Sequence, residues 1–592
     1  MDEIVWNLLD QETRKFLLFL AVPAEITPEL CRRLTGQDII ASLMKKNIFL
    51  SQISGYEDTF RFHDIFRDFL LEHVKGVLSA DEIRQVNKTT AEWYFEKGDF
   101  FMSTRYYYEN RDHEGINRCA WSNDLYHEDS ECISVEENYH FSNQFTLELP
   151  LSFIKNNMRL IGECAYVSYL DGNQADFFHY KDMLAKMMPQ ILEKDPKFLE
   201  TAGFINSLDY RIPIVKYAKH LTGMMMVMWR DSAENVARAN TITQNLPLFH
   251  RSMRDFSEIY QLREDDLKLL RDTFGVIIGG DYEIMEQSLI AGIYYEKGDL
   301  IKAAYHAMAG YLACKEELHP ETLFSSHMIL SVVLYGMGAD NEAGAVMKKT
   351  EAMIEEKALF LRPNFKAYQT IRAIRVGEID SGAKWLEIYG GSGDHLRFYQ
   401  IYRYFTTMRA YIALRDFSAA VLFGRQLLTL ASEYNRPLDQ IESGLLLAMA
   451  LWGLDNKDEG AKQLRQAVCE AMPYGFAQLF VNEGKEILPI LLYLTETPEE
   501  PAGFRGWVSK LTGLVLQKHH PGFLEVGDIK LSKQQLLMLR YLAQGKSYEG
   551  IAEAAGLKRT TIKSHIMNLY KRLGVHNAEE AIVKGKIMGV LD

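Results

Sequence analysis

The sequence predicts a mainly α-helical chain with an N-terminal winged helix, a long tetratricopeptide-like α-superhelix and a C-terminal four-helix domain containing a helix-turn-helix. Three observations carry this reading. Apolar residues recur at three- and four-residue spacing along almost the whole chain. A short phrase, an aromatic helix end followed by Gly-Asp and then small residues, returns several times through the middle. The last 66 residues are basic and carry the start and stop signals of four short helices.

A chain of 592 residues should hold several domains, at roughly 100–200 residues each. Hydrophobic residues at 47% and charged residues at 25% are ordinary for a globular protein. No apolar run approaches the ~20 residues that cross a bilayer. The start is acidic and is interrupted by Arg14 and Lys15, unlike a signal peptide. A cytoplasmic protein with no membrane partner is expected. Cys31, Cys119, Cys132, Cys164, Cys314 and Cys469 are scattered, which predicts reduced and mostly buried thiols. The histidines show no metal-ligand spacing, and His519-His520 reads as a solvated pair. No metal or cofactor is expected.

The N-terminal part, residues 1–76, is helical except for 47–63. There Ile48-Phe49-Leu50 and Phe60-Arg61-Phe62 flank Ser54-Gly55-Tyr56, the pattern of a hairpin wing. Residues 77–494 carry the recurring phrase as Trp93-Tyr94-Phe95-Glu96-Lys97-Gly98-Asp99 and as Ile293-Tyr294-Tyr295-Glu296-Lys297-Gly298-Asp299 with Ala303-Ala304. Looser copies end at Gly172-Asn173, Gly336-Met337-Gly338, Arg415-Asp416 and Leu454-Asp455, with Ala175, Ala343, Ala419-Ala420 and Ala461 following. Small residues let two helices approach closely, and such hairpins bury their apolar faces only by stacking. Residues 495–526 read as a linker. Pro498, Pro501 and Gly503 make one break, Pro521-Gly522 a second, and 504–518 one helix between them.

Residues 527–592 form the expected DNA-binding tail. Eleven basic residues stand against six acidic ones there, net +5, which leaves −19 of the chain's −14 to the remainder. A basic module on an acidic body suits a polyanion-binding role. Ser532 with Gln535 is a capping box, Met538, Leu539, Leu542 and Ala543 share a face, and Gly545 ends the first helix. The second helix covers 547–555 with Ile551, Ala552 and Ala555 inward, then turns at Gly556. The third covers 559–573 and stops at Gly574, with Ile562, Ile566, Leu569 and Leu573 as its inner stripe. Asn577 and Glu580 open a fourth. The third helix would enter the major groove. Its Lys563, Lys571 and Arg572, with Lys546, can neutralise phosphates, while Thr560, Thr561, Ser564, His565 and Asn568 offer donors and acceptors for the duplex.

The segment LSKQQLLMLRYLAQGKSYEGIAEAAGLKRTTIKSHIMNLYKRLGV resembles the LuxR-type helix-turn-helix, with Leu531, Gly545, Ser547, Ile551, Ala552, Thr561, Ile562, Lys563, His565, Leu569 and Gly574-Val575 in register. Gln534-Gln535 replaces the family's Arg-Glu, Gly550 its Glu, and Lys558 the Ser that caps the recognition helix, a change of about 1 kcal/mol at the cap. That leaves Thr560 or the backbone to cap it. Leu536 and Leu537 lie where the family is usually polar, which predicts that they dock the tail onto the repeats. Arg14-Lys15-Phe16-Leu17-Leu18, Pro28-Glu29-Leu30-Cys31 and Phe60-Arg61-Phe62-His63-Asp64 resemble the winged helix of the MalT-like large ATP-binding regulators. Gly475-Phe476 and Leu479-Phe480-Val481-Asn482-Glu483-Gly484 resemble that family's last sensor repeat, and between about 123 and 290 the likeness is architectural only.

The resemblance implies an NTPase domain ahead of the winged helix. The nearest run to a phosphate loop, Gly377 to Lys384, has Ala383 in the Lys position and no strand before it, so no NTP hydrolysis by this chain is expected. Met1 as a natural start and a fragment of a longer protein both fit. His63 matches a position near nucleotide in the full family, and a structural role is expected for it here.

The superhelix is the expected input site, for a small molecule or a partner protein. Tyr106-Tyr107-Tyr108, Phe177-Phe178-His179-Tyr180 and the Met224–228 run with Trp229 could face a ligand. Aromatics wedged between hairpins are the competing reading. The expected partners are double-stranded DNA, the effector, a second copy of the chain on DNA, and RNA polymerase. Two functions of different class remain at this point, an effector-controlled transcription regulator and a helical-repeat interaction scaffold. An enzyme ranks third, since no nucleophile–base pair, metal spacing or glycine loop is identifiable.

Overall fold

Short capped helices build the N-terminus. The computed structural model describes residues 6, 9–45, 49–52, 58–122, 136, 139, 142–143, 146, 149, 151–155, 157–194, 199–219, 222, 243–261, 264–278, 281–315, 318–390, 395–496, 501–519, 531–573, 575–587 and 591. Asp10 accepts the Thr13 N–H at 2.7 Å and starts Gln11–Ala21. Thr27 caps Pro28–Thr35, and Gly36 turns the chain out at φ +80°. Ile40–Lys45 follows, then strands β1 (Leu50–Gln52) and β2 (Phe60–Phe62) pair antiparallel with Ser51 opposite Arg61.

The wing expected from the sequence is there; its first strand runs Leu50–Gln52, Phe49 before it takes φ +22°, outside the extended region, and Ile48 lies outside the described residues. The predicted turn at Ser54-Gly55-Tyr56 lies outside the described residues. Leu17, Leu18, Cys31, Phe62, Phe66 and Leu70 form the core beneath it. Arg67 ties the layers by donating to the Ala21 carbonyl at 3.1 Å and the Val22 carbonyl at 3.2 Å. His63 is exposed, and its backbone N–H closes the hairpin on the Phe49 carbonyl at 2.8 Å.

The chain divides into two compact units, residues 1–169 with 173–206, and residues 170–172 with 207–592. In the first, Ala80–Lys97 and Phe100–Glu109 make a hairpin whose turn is Gly98 at φ +83° with Asp99 as the cap of the second helix. The tyrosine cluster sits inside this packing. Tyr107 is buried, and Tyr106 stacks on Tyr94 at 5.6 Å while its hydroxyl accepts the Ala24 N–H. Phe177 is equally enclosed against Tyr169. These aromatics therefore pack hairpins, while Met224–228 and Trp229 lie outside the described residues.

The second unit repeats one device. Tyr282–Glu296 pairs with Leu300–Ala313, Pro320–Gly336 with Asp340–Lys357, Arg362–Arg375 with Ile379–Tyr389, Ile401–Ala413 with Phe417–Glu433, and Pro437–Gly453 with Lys457–Ala471. Each turn needs one left-handed residue: Gly298, Gly338, Gly377, Arg415 and Asp455 in order. Asp299 and Asp416 then accept the N–H of Lys302 and Ala419 and begin the next helix. The small residues expected at the crossings are buried, among them Ala303, Ala343, Ala420 and Ala461. Gly377 to Lys384, the nearest sequence match to a phosphate loop, is one of these turns and the helix after it.

One segment departs from the expected continuous helix. Residues 243–256 run irregularly through the interior of this unit, with Gln244 at φ +54° and Asn245 at φ +61°. A buried non-helical backbone needs partners from outside itself, and the repeats supply them. Glu321 accepts the N–H groups of Thr243 and Asn245. Asn364 donates to the Asn245 carbonyl, and Arg436 to the carbonyls of Arg251 and Ser252. Arg251 reaches Asp439 at 2.6 Å and Glu442 at 2.5 Å. Arg409 bridges Glu442 and Glu483, each at 2.6 Å, and Arg375 joins Glu483 at 2.8 Å.

Candidate nucleic-acid interface

The C-terminal domain has the four helices expected, Lys533–Ala543, Tyr548–Ala555, Arg559–Leu573 and Ala578–Ile587. The capping box forms as read: the Gln535 N–H donates to Ser532 Oγ at 3.2 Å and the Ser532 N–H to Gln535 Oε1 at 3.0 Å. Gly545 turns the first helix out at φ +70° and Gly556 the second at φ +66°. Ser547 caps the second helix through the Gly550 N–H. Asn577 caps the fourth through the Glu580 N–H at 2.8 Å, and Glu580 reaches back to the His576 N–H. Without the family's serine, the start of Arg559–Leu573 is held by backbone, with the Thr561 and Ile562 N–H groups donating to the Lys558 carbonyl. The predicted stop at Gly574 lies outside the described residues.

Ile562, Ile566, Leu569 and Leu573 are fully buried with Met538, Leu539 and Ile551. That fixes which side of the third helix faces out. Thr560, Lys563, Ser564, Asn568, Lys571 and Arg572 are exposed, and Thr561 and His565 are half-buried along the edge of the core. Lys546 is exposed ahead of the second helix with its ammonium 5.1 Å from the Tyr541 ring. Three details were not legible beforehand. Ala543 is exposed rather than inward, because the first helix ends there and the core passes to Leu542. Lys584 is buried, so the outward positive charge is less than the sequence count. Met567 places an apolar side chain 58% exposed beside Asn568.

The domain is also docked on the helices before it. Leu516 of Phe504–His519 is a buried member of its core cluster, with Leu488 and Leu492 of Leu488–Thr495 packed against it. Leu537 is 40% exposed and Leu536 half-buried, and the core cluster that joins the domain to those helices contains neither, so this docking runs through Leu516, Leu488 and Leu492. Within the domain, Gly585 lets the fourth helix approach the first, since a Cβ there would come within 2.7 Å of Leu539. Leu516→Glu should cost about 2–4 kcal/mol of this packing by burying a charge in an apolar site. Limited trypsin digestion should then release residues 531–592 several-fold faster, whereas Leu537→Glu should digest like the parent.

Three family models match this chain: the MalT winged helix domain over residues 1–82, the MalT-like TPR region over 281–497, and the bacterial regulatory proteins of the luxR family over 530–584. The HTH-type transcriptional regulator MalT of Vibrio parahaemolyticus serotype O3:K6 is 21% identical over 658 residues, covering 98% of this chain and 70% of that protein. The protein of the same name from Vibrio campbellii is 22% identical with the same coverage. Its namesake from Klebsiella pneumoniae strain 342 is 29% identical over 198 residues, which are 29% of this chain and 21% of that one. The chain thus carries a region matching the MalT winged helix, one matching the MalT-like repeats and one matching the luxR family, in that order along the sequence.

Proposed function

We propose that the chain is a transcription regulator whose C-terminal domain binds double-stranded DNA and whose repeat region receives a small-molecule or protein effector. The observation that carries the reading is the Arg559–Leu573 helix, apolar and buried on one side, polar, basic and exposed on the other. Such a helix, preceded by a short helix and a glycine turn, is the shape that enters a major groove. Lys546, Lys563, Lys571 and Arg572 contact phosphates. Ser564 and Asn568 lie centrally and read base edges, with Thr560, Thr561 and His565 at the margins. Met567 adds an apolar surface for a thymine methyl. Two copies of the chain occupy a two-fold site, with RNA polymerase as the further partner.

The test is selection of genomic duplexes by the full chain, followed by affinity measurements across a salt series. The expected result is enrichment of a defined sequence, with log affinity falling by about 0.9 per phosphate contact per log unit of salt. Recovery of random duplexes only, with no salt dependence, would reject the reading.

A further inference from the structure

The buried segment at 243–256 bears on what the repeats can hold. It fills the interior that the hairpins would otherwise leave open, and Leu248 and Arg251 from it form one wall of a remaining cavity of about 60 Å³. At roughly 10–15 Å³ per water position, that is room for a compact ligand.

The lining defines the chemistry. Arg251 and Arg409 are neutralised by Asp439, Glu442 and Glu483. Arg375 shares Glu483 with Arg409, and its Nε is buried with no hydrogen-bond partner. Arg372 lies 3.7 Å over the Tyr335 ring. Lys518 stands at the mouth, 3.5 Å from Asn482 Oδ1, and forms no ion pair among the described residues. Arg372 has Asp340 at 3.5 Å, so Lys518 is the cation of this lining without an ion pair among the described residues. Glu296, also in the lining, keeps Oε2 buried without a donor, while Oε1 lies 3.3 Å from His250. Glu296 Oε2 and Arg375 Nε are both buried and unpartnered, which is costly, and a ligand that satisfies both is favoured.

We infer that this cavity binds a small carboxylate bearing a hydroxyl or ammonium on the neighbouring carbon, with Lys518 and Arg375 holding the carboxylate and Glu296 accepting from the second group. The inference rests on the reading of the repeat region as the effector-binding part. Lys518 lies two residues from Leu516 on the helix that packs on the C-terminal domain.

Calorimetry of the full chain with L-lactate, glycine and acetate tests it. Saturable binding of lactate or glycine is expected, at least tenfold tighter than acetate. K518M should weaken it at least tenfold at an unchanged melting temperature, and E296Q should narrow the preference over acetate. Absence of saturable binding by all three, or undiminished binding by K518M, overturns the site. Equal affinity for acetate overturns the part given to Glu296. Duplex binding on the same preparation separates the outcomes: intact DNA binding without carboxylate binding removes this inference alone.

Discussion

Reversing Lys563, Lys571 and Arg572 to Glu together should abolish duplex binding at physiological salt while leaving the domain folded. All three side chains are exposed, so the change touches no part of the Ile562, Ile566, Leu569 and Leu573 stripe. Each phosphate contact contributes about 0.9 to the salt exponent, and three lost contacts turned repulsive exceed the whole non-specific term. Single changes separate the roles. Lys563→Glu should weaken all duplexes alike and lower the salt exponent by about 1, whereas Asn568→Ala should cost ~1–3 kcal/mol on the selected sequence and relax choice at one base pair. Anisotropy with selected and scrambled duplexes reads both, and undiminished binding by the triple variant would place the interface elsewhere.

Glu442→Ala should be the most destabilising single change in the repeat region, at about 3–5 kcal/mol. Glu442 is buried and shared by Arg251 and Arg409, so its loss strips a partner from two buried guanidinium groups. Urea unfolding measures this, and an effect under 1 kcal/mol would mean that water reaches the network. The same network sets an acid limit. Burial pushes the Asp439, Glu442 and Glu483 carboxyls up, but the facing arginines outweigh it and hold all three below their ordinary values. A depressed carboxyl favours the folded state above the unfolded value, and that stability is lost as pH falls through the folded value. Buried His327 acts earlier. Lost hydration holds it down at about 4 against an ordinary ~6.5, so its contribution is complete above ~6.5 and is lost as pH falls towards 4. The urea midpoint should therefore decline in two stages, first from pH 6.5 to 4 and then below 4.

The C-terminal domain was legible almost residue by residue because its signals are local. A serine and a glutamine three apart make a cap, and a glycine past the last apolar residue makes a stop, whatever lies around them. The hairpin turns were legible for the same reason, since Gly98 and Gly298 supply a left-handed backbone that few residues adopt. Arg415 and Asp455 do so without glycine, which is why their copies looked loose. The aromatic runs were ambiguous, because a tyrosine in a packed hairpin and one facing a ligand have the same spacing. Tyr106 and Tyr107 proved to be packing.

The chain's periodicity, caps and turn residues by themselves determined the winged helix, the helical hairpins and the outward face of the third helix near the C-terminus. They could do so because each depends on contacts a few residues apart. Only the tertiary structure decided that 243–256 runs unwound through the interior, that Arg251 meets Asp439 and Glu442 from nearly two hundred residues away, and that Leu516 rather than Leu537 docks the last domain. Those outcomes rest on buried polar groups finding partners across the fold, and no local pattern records where a distant partner will be.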